Sequence, residues 1–308
     1  MERHALIPVS PPFDFVLTAS FFARFDTETV DRFRDGTYRR ALWVNGRALA
    51  VRVRPATRHL RLTLAGPRIT GGEAAAAGGA VARMFGAGQD LAGFYRMARR
   101  DPVLARILPR LRGLHVACYA SVFEALTIAI LSQQITVRFA NVLKRRLVEA
   151  YGARVGAGAG ALWAFPRPQD LAGAKVADLR GMQLSGRKAE YVVGLARAFA
   201  GGGWDEASLA VLDDEDFVRR VTSLRGLGRW SAEWALIRAL GRPDLLPADD
   251  VGVQRAISEA YLRGRRLTPK TVDRFGRRWR PYRSLAISYL FAARRLGLLA
   301  KRDPGGGT

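Results

Sequence analysis

The chain holds a single cysteine, Cys118, in 308 residues, which excludes an intrachain disulfide, a cysteine-ligated zinc and a cysteine-held iron–sulfur cluster. No run of about 18 apolar residues occurs, so no membrane span is expected. The N-terminal stretch "MERHALIPVSPPFDFVL" lacks the apolar core of a signal peptide. A cytoplasmic protein is expected, nucleoid-associated if the host is a bacterium. Only three histidines are present, His4, His59 and His115, and no metal is expected through side chains. Lysine is scarce too: Lys144, Lys175, Lys188, Lys270 and Lys301 are the only five among 50 basic residues.

Against those absences stands arginine. The 50 basic residues face 27 acidic ones, a net charge of +23. A folded chain of that charge suits a polyanionic partner, because Lys and Arg contacts to phosphate release counterions. Arginine adds bidentate phosphate geometry, although GC-rich codon usage also raises its share. The 49% hydrophobic content is that of a globular chain long enough for two domains.

In "RRALWVNGRALAVRVRP", Asn45-Gly46 separates two strand-like runs, and "HLRLTLAG" alternates as a third. Three antiparallel strands are expected. "GGEAAAAGGAVARMF" ends in a helix, and Asp90 has the position of an N-cap for the next. These elements make an N-terminal α+β domain over 1–112. From about Leu114 helical periodicity dominates, giving an all-helical region over 113–300 and a frayed tail over 301–308. Ser121 and Glu124 have capping-box spacing. That helix should break near Gln133-Gln134, where Thr136 can cap a second helix ending at Gly152, leaving both glutamines free to point outward. The fold class is mainly α, with a small antiparallel sheet domain packed on a helical bundle.

The segment "LRGLGRWSAEWALIRALGRPDLLPADDVGVQRAI" carries the densest chemistry. Gly226-Leu227-Gly228 joins two amphipathic helices, its glycines allowing conformations closed to other residues while Leu227 anchors the turn. Backbone amides at the second helix's N-terminus form a phosphate cradle, with Gly226, Gly228 and Arg229 as candidates and Ser231 beside them. Asp249 and Asp250 follow at the start of another helix, and only one of two adjacent carboxylates can occupy the cap. Asp250 lies 22 residues beyond Gly228, near enough for cradle and carboxylate to address one nucleotide.

Five ordered segments, "FEALTIAILSQQITVRFANVLKRRLVEAYG", "LSGRKAEYVVGLARAF", "LRGLGRWSAEWALIRALG", "LPADD" and "RWRPYRSLAISYLF", resemble the alkylation-repair branch of the helix-hairpin-helix DNA glycosylases, the DNA-3-methyladenine glycosylase II family. The resemblance implies that family's fold, and a partner in double-stranded DNA carrying alkylated bases. It implies Asp250 as catalyst, with Asp249 left for capping or for supporting Asp250, and a monomer without cofactor. Hairpin carbonyls in such proteins can hold a structural monovalent cation. Trp230, Trp234, Phe291 and Tyr289 are the implied pocket aromatics, with Tyr282 a neighbour. Gln133 and Gln134, with Gly226, Leu227, Gly228, Arg229 and Ser231, are implied DNA contacts, Gln134 sitting where relatives can carry an apolar wedge.

An N3- or N7-alkylated purine is already cationic and can leave without a general acid, while Asp250 stabilises oxocarbenium charge. Cation–π stacking on the aromatics would select such a base, and extrusion costs less for a damaged one. Lyase relatives carry a lysine where Trp230 stands, and no lysine lies between Lys188 and Lys270, so a monofunctional hydrolase is expected. Basic clusters at Lys144–Arg146, Arg263–Arg266 and Arg274–Arg283 are candidate phosphate trackers. Two alternatives stay open: a helix-hairpin-helix DNA-binding protein without catalysis, and a glycosylase for deaminated or oxidised bases.

Overall fold

The computed structural model describes residues 2–23 and 28–299, so the expected tail over 301–308 lies outside the described residues. Five antiparallel strands form one sheet: β1 (Glu2–Pro8), β2 (Asp31–Arg34), β3 (Thr37–Val44), β4 (Arg47–Ala56) and β5 (His59–Ala65), in spatial order β1-β5-β4-β3-β2. The Asn45-Gly46 hairpin forms as expected, both residues at positive φ. The expectation of three strands fell short by two. Strands β1 and β2 are the sheet's edges, and neither shows alternation strong enough to read from sequence alone.

The sheet's inner face, with Tyr38, Leu42, Val51, Val53, Leu60, Leu62 and Leu64, packs on α1 (Phe15–Ala19) and α2 (Gly71–Met84). Helix α2 takes in the whole Ala/Gly stretch rather than its end, because Thr70 and Glu73 complete a reciprocal capping box ahead of it. A hairpin of β6 (Ala153–Val155) and β7 (Leu162–Ala164) covers Ala41, Trp43, Ala48 and Ala50 on the outer face.

Helices fill the rest: α3 (Ala92–Ala98), α4 (Pro102–Ile107), α5 (Val122–Ser132), α6 (Val137–Tyr151), α7 (Pro168–Ala172), α8 (Val176–Gly181), α9 (Gly186–Ala200) and α10 (Glu206–Val211). They continue with α11 (Asp214–Thr222), α12 (Arg229–Arg238), α13 (Val251–Tyr261), α14 (Pro269–Gly276) and α15 (Arg283–Arg295). One apolar core unites them, and α3 and α4 belong to it although both precede residue 113. Helix α3 begins with Leu91, not Asp90, at the cap; the Asp90 carboxylate instead accepts the Ala92 amide at 2.8 Å. No helix among the described residues is long and apolar enough to cross a membrane.

The expected box at Ser121 is one-sided. Ser121 Oγ accepts the Glu124 amide at 3.0 Å, but the Glu124 carboxylate pairs with Arg40 at 2.5 Å and accepts the Ala120 amide at 3.3 Å instead of the Ser121 amide. Glu206 of α10 takes over the remaining work, accepting the Val122 and Phe123 amides at 2.7 and 3.1 Å. Arg40 also meets Asp31 at 3.1 Å, and Asp31 accepts the Tyr38 hydroxyl. This cluster is buried between the sheet and α5. Burial opposes the Arg40 charge, but Glu124 and Asp31 outweigh it and raise the guanidinium's pKa further. Such a cluster fixes how two elements meet more than it adds net stability.

Candidate active site

The hairpin between α11 and α12 needs its first glycine for conformation and its second for access. Gly226 has φ +93, and a Cβ there would collide with the Tyr191 ring. Gly228 sits at φ −107, a conformation open to any residue, and nothing lies within 4 Å of where a Cβ would stand. It caps α12 without a side chain, so the first-turn amides of Arg229, Trp230 and Ser231 have no intrahelical acceptor and face outward. Leu227, buried at 6% exposure, anchors the turn in the helical core. The Arg229 guanidinium is engaged by Glu215 at 2.6 Å and Glu233 at 2.9 Å, and Ser231 is buried, so neither side chain is free to reach a phosphate as it stands.

Gln133 and Gln134 part company at the α5–α6 junction. The Gln133 amide donates to the Gly226 carbonyl at 2.8 Å, bracing the hairpin rather than pointing outward. Gln134 is exposed at φ +56 and lines the cleft beside it. The Leu224 carbonyl accepts the Leu227 amide at 3.1 Å, so a monovalent cation on the hairpin carbonyls would share them with protein donors.

At the next helix the division of labour between the two aspartates is corrected. Asp250, not Asp249, is the N-cap of α13: its Oδ1 accepts the Val253 amide at 2.9 Å. Its Oδ2 accepts the Trp230 indole N–H at 2.6 Å. One carboxylate is thus fixed at both oxygens by the helix it starts and by the hairpin helix. Asp249 is exposed at the cleft's rim.

Trp230 and Trp234 stand nearly parallel, ring centroids 6.3 Å apart with planes 14° from each other. Together with Asp249, Asp250, Gln134 and Tyr119 they line a cleft of about 790 Å³, within the range of small-ligand sites. Its far wall is ionic. Glu28, Asp31 and Lys144 line it, and the Lys144 ammonium sits 2.5 Å from Glu28. Burial works against the Lys144 charge, but Glu28 and Asp31 prevail and raise its pKa, which keeps the amine protonated. Lys144 is therefore a buried member of the site, not the phosphate tracker that its cluster suggested.

Behind Trp234 a recess of about 440 Å³ adjoins Asp250, Arg238, Ser288 and Phe291. A Cβ on Gly252 would fall 2.9 Å from Asp250 Oδ1 and 3.7 Å from the Phe291 ring, so that glycine keeps carboxylate and ring within reach of one another. The buried Arg238 guanidinium lies over Trp234 at 5.1 Å and Phe21 at 4.4 Å. A further cavity of about 880 Å³ lies elsewhere, under α2 and α10, and the carboxylate that lines it, Glu206, is already spent on the start of α5.

Tyr289 leaves the set of pocket aromatics. It is 1% exposed in the helical core, with its hydroxyl donating to the Leu114 carbonyl at 3.0 Å. Tyr282 packs its hydroxyl against Gly93, away from the cleft. Phe21, Tyr119, Glu28 and Asp31 come to the site from distant segments with no local motif to mark them, Lys144 comes from a basic cluster on α6, and Arg238 follows Trp234 by one turn on α12.

Residues 127–281 match the family model described as HhH-GPD superfamily base excision DNA repair protein, and residues 5–121 match the AlkA N-terminal domain. The chain is 32% identical to the DNA-3-methyladenine glycosylase of Bacillus subtilis (strain 168) over 67% of its own length and 68% of the relative's. It is 27% identical to DNA-3-methyladenine glycosylase 2 of Escherichia coli (strain K12), over 91% of this chain and 94% of that one. The solved 3-methyladenine DNA-glycosylase from Archaeoglobus fulgidus superposes with a TM-score of 0.85 at 29% identity, covering 96% of this chain and all 100% of that chain.

Proposed function

The chain belongs to the HhH-GPD superfamily of base excision DNA repair proteins, and from that premise we propose that its cleft hydrolyses the N-glycosidic bond of alkylated purines such as 3-methyladenine in duplex DNA. The observation that carries this reading is Asp250, held at both oxygens at the mouth of an aromatic cleft beside an open hairpin N-terminus. A DNA-binding module without catalysis needs the hairpin amides but no carboxylate fixed next to them.

The hairpin amides take a backbone phosphate, and the damaged nucleotide is extruded into the cleft. Trp230 and Trp234 offer π faces to a cationic base, and the ionised Asp250 stabilises the oxocarbenium charge left on the sugar. An alkylated purine departs neutral as the bond breaks, so no proton donor is required, and water completes an abasic site. Trp230 occupies the place of a lyase lysine. The lysine that the fold does bring to the cleft, Lys144, is protonated and locked to Glu28, which supports hydrolysis without strand cleavage.

Incubation with methylated duplex DNA, followed by chromatography of released bases, tests the proposal. Free alkylpurines should appear while the strands stay intact until alkali is added, and borohydride should trap no enzyme–DNA adduct. Absence of free alkylpurine sinks the glycosylase assignment; a trapped adduct sinks the monofunctional one.

A further inference from the structure

The open half of the N-terminal sheet's outer face carries arginine in register across the strands. Arg32 of β2 lies opposite Arg39 of β3, which lies opposite Arg52 of β4, then Thr63 of β5 and His4 of β1. The adjacent rank runs from Arg34 opposite Thr37 to Arg54 opposite Arg61. Like charges placed directly opposite on a sheet destabilise it, and strands prefer β-branched or aromatic residues, so folding does not call for this pattern. The covered half of the same face is built from Ala41, Ala48, Ala50 and Trp43.

Some of these arginines are engaged within the protein. Glu2 pairs with Arg52 at 2.6 Å, and Arg54 donates to Thr37 Oγ1 at 2.9 Å. Among the described residues Arg34, Arg39 and Arg61 make no ion pair with a carboxylate. Between the ranks runs a groove of about 430 Å³ lined by His4, Arg52, Arg54, Arg61 and Thr63. With strands about 4.8 Å apart, the four steps from Arg32 to His4 span about 19 Å, the length of roughly five or six base-pair steps of duplex.

We propose that this sheet face is a second phosphate-binding surface, which holds duplex DNA beyond the segment gripped by the hairpin. The charge and the planar guanidinium donors fit phosphates. Its strand of origin also fits, since Asp31 of β2 lines the cleft and Arg32, the next residue, starts the first rank. DNA leaving the cleft around that sheet edge meets arginine first. The inference rests on the cleft being a DNA site, and assigns to the N-terminal sheet a share of the binding.

The test compares duplexes of about 12 and about 36 base pairs, each with a central abasic site, by titration over a range of salt. The wild-type protein should show a steeper salt dependence on the long duplex than on the short one. Combined Arg39→Ser, Arg54→Ser and Arg61→Ser should remove about 2.7 from the slope of log K against log salt on the long duplex, because each phosphate contact contributes about 0.9. Arg61→Ser alone, at an exposed position, should remove about 0.9 and keeps the test open if the triple variant folds poorly. Unchanged slopes on the long duplex overturn the proposal and leave the face to an acidic protein or to solvent. Base release from a short methylated duplex reports the cleft separately: its failure with the slope difference intact counts against the glycosylase, not against this surface.

Discussion

Replacing Asp250 by Asn separates the carboxylate's structural work from its chemical work. Asn is nearly as good an N-cap as Asp, so the bond to the Val253 amide survives. The side chain's one remaining oxygen cannot also serve Trp230, whose indole N–H then meets an amide donor in place of Oδ2 at 2.6 Å. That loss costs about 1–3 kcal/mol of stability, a shift of a few degrees in melting temperature. Chemistry should suffer more. A unit charge about 4 Å from a developing cation, at an effective dielectric near 20, contributes about 4 kcal/mol, or about 10³-fold in rate. Trp230→Phe removes the same hydrogen bond and leaves the charge. Single-turnover release of 3-methyladenine, with enzyme in excess, should therefore fall about 10³-fold in Asp250→Asn and much less in Trp230→Phe, while abasic-DNA binding persists in both. Equal slowing of the two variants, or an Asp250→Asn rate within tenfold of wild type, refutes the electrostatic role.

Three further outcomes follow from the structure. Arg40→Met should destabilise the protein by about 3–5 kcal/mol in urea unfolding, because Asp31 and Glu124 lose the cation they share in a buried site. Gly226→Ala should lower both stability and DNA affinity, since its Cβ collides with Tyr191 at positive φ, whereas Gly228→Ala should leave the melting temperature nearly unchanged and weaken DNA binding alone. Burial pushes the Cys118 thiol up from 9.0 to about 11, so a thiol reagent at pH 8 should label it only after denaturation. The stability this confers is complete below about pH 9 and is lost as the pH climbs towards 11, which unfolding at the two ends of that window measures.

Local sequence decides structure where one short segment carries its own signal. The Asn45-Gly46 turn, the helix break before Thr136 and the Gly226 turn all follow from local backbone preference, and each forms where expected. Local patterns misled where a tertiary partner competed for the same group. Glu124 has capping-box spacing, but the buried Arg40 of β3 draws its carboxylate more strongly than the cap does. Gln133 stands next to Gln134 in sequence, yet the hairpin carbonyl claims it.

By itself the sequence determined the helix-hairpin-helix signature, the aspartate pair that follows it and the aromatic spacing on α12, because these depend on residues within one or two turns of each other. Only the tertiary structure decided which aspartate is doubly held, that Tyr289 belongs to the core, and that Phe21, Glu28, Asp31 and Lys144 reach the site. The same division explains the arginine ranks on the sheet. Their residues are scattered from 4 to 63 along the chain, and strand pairing alone brings them side by side.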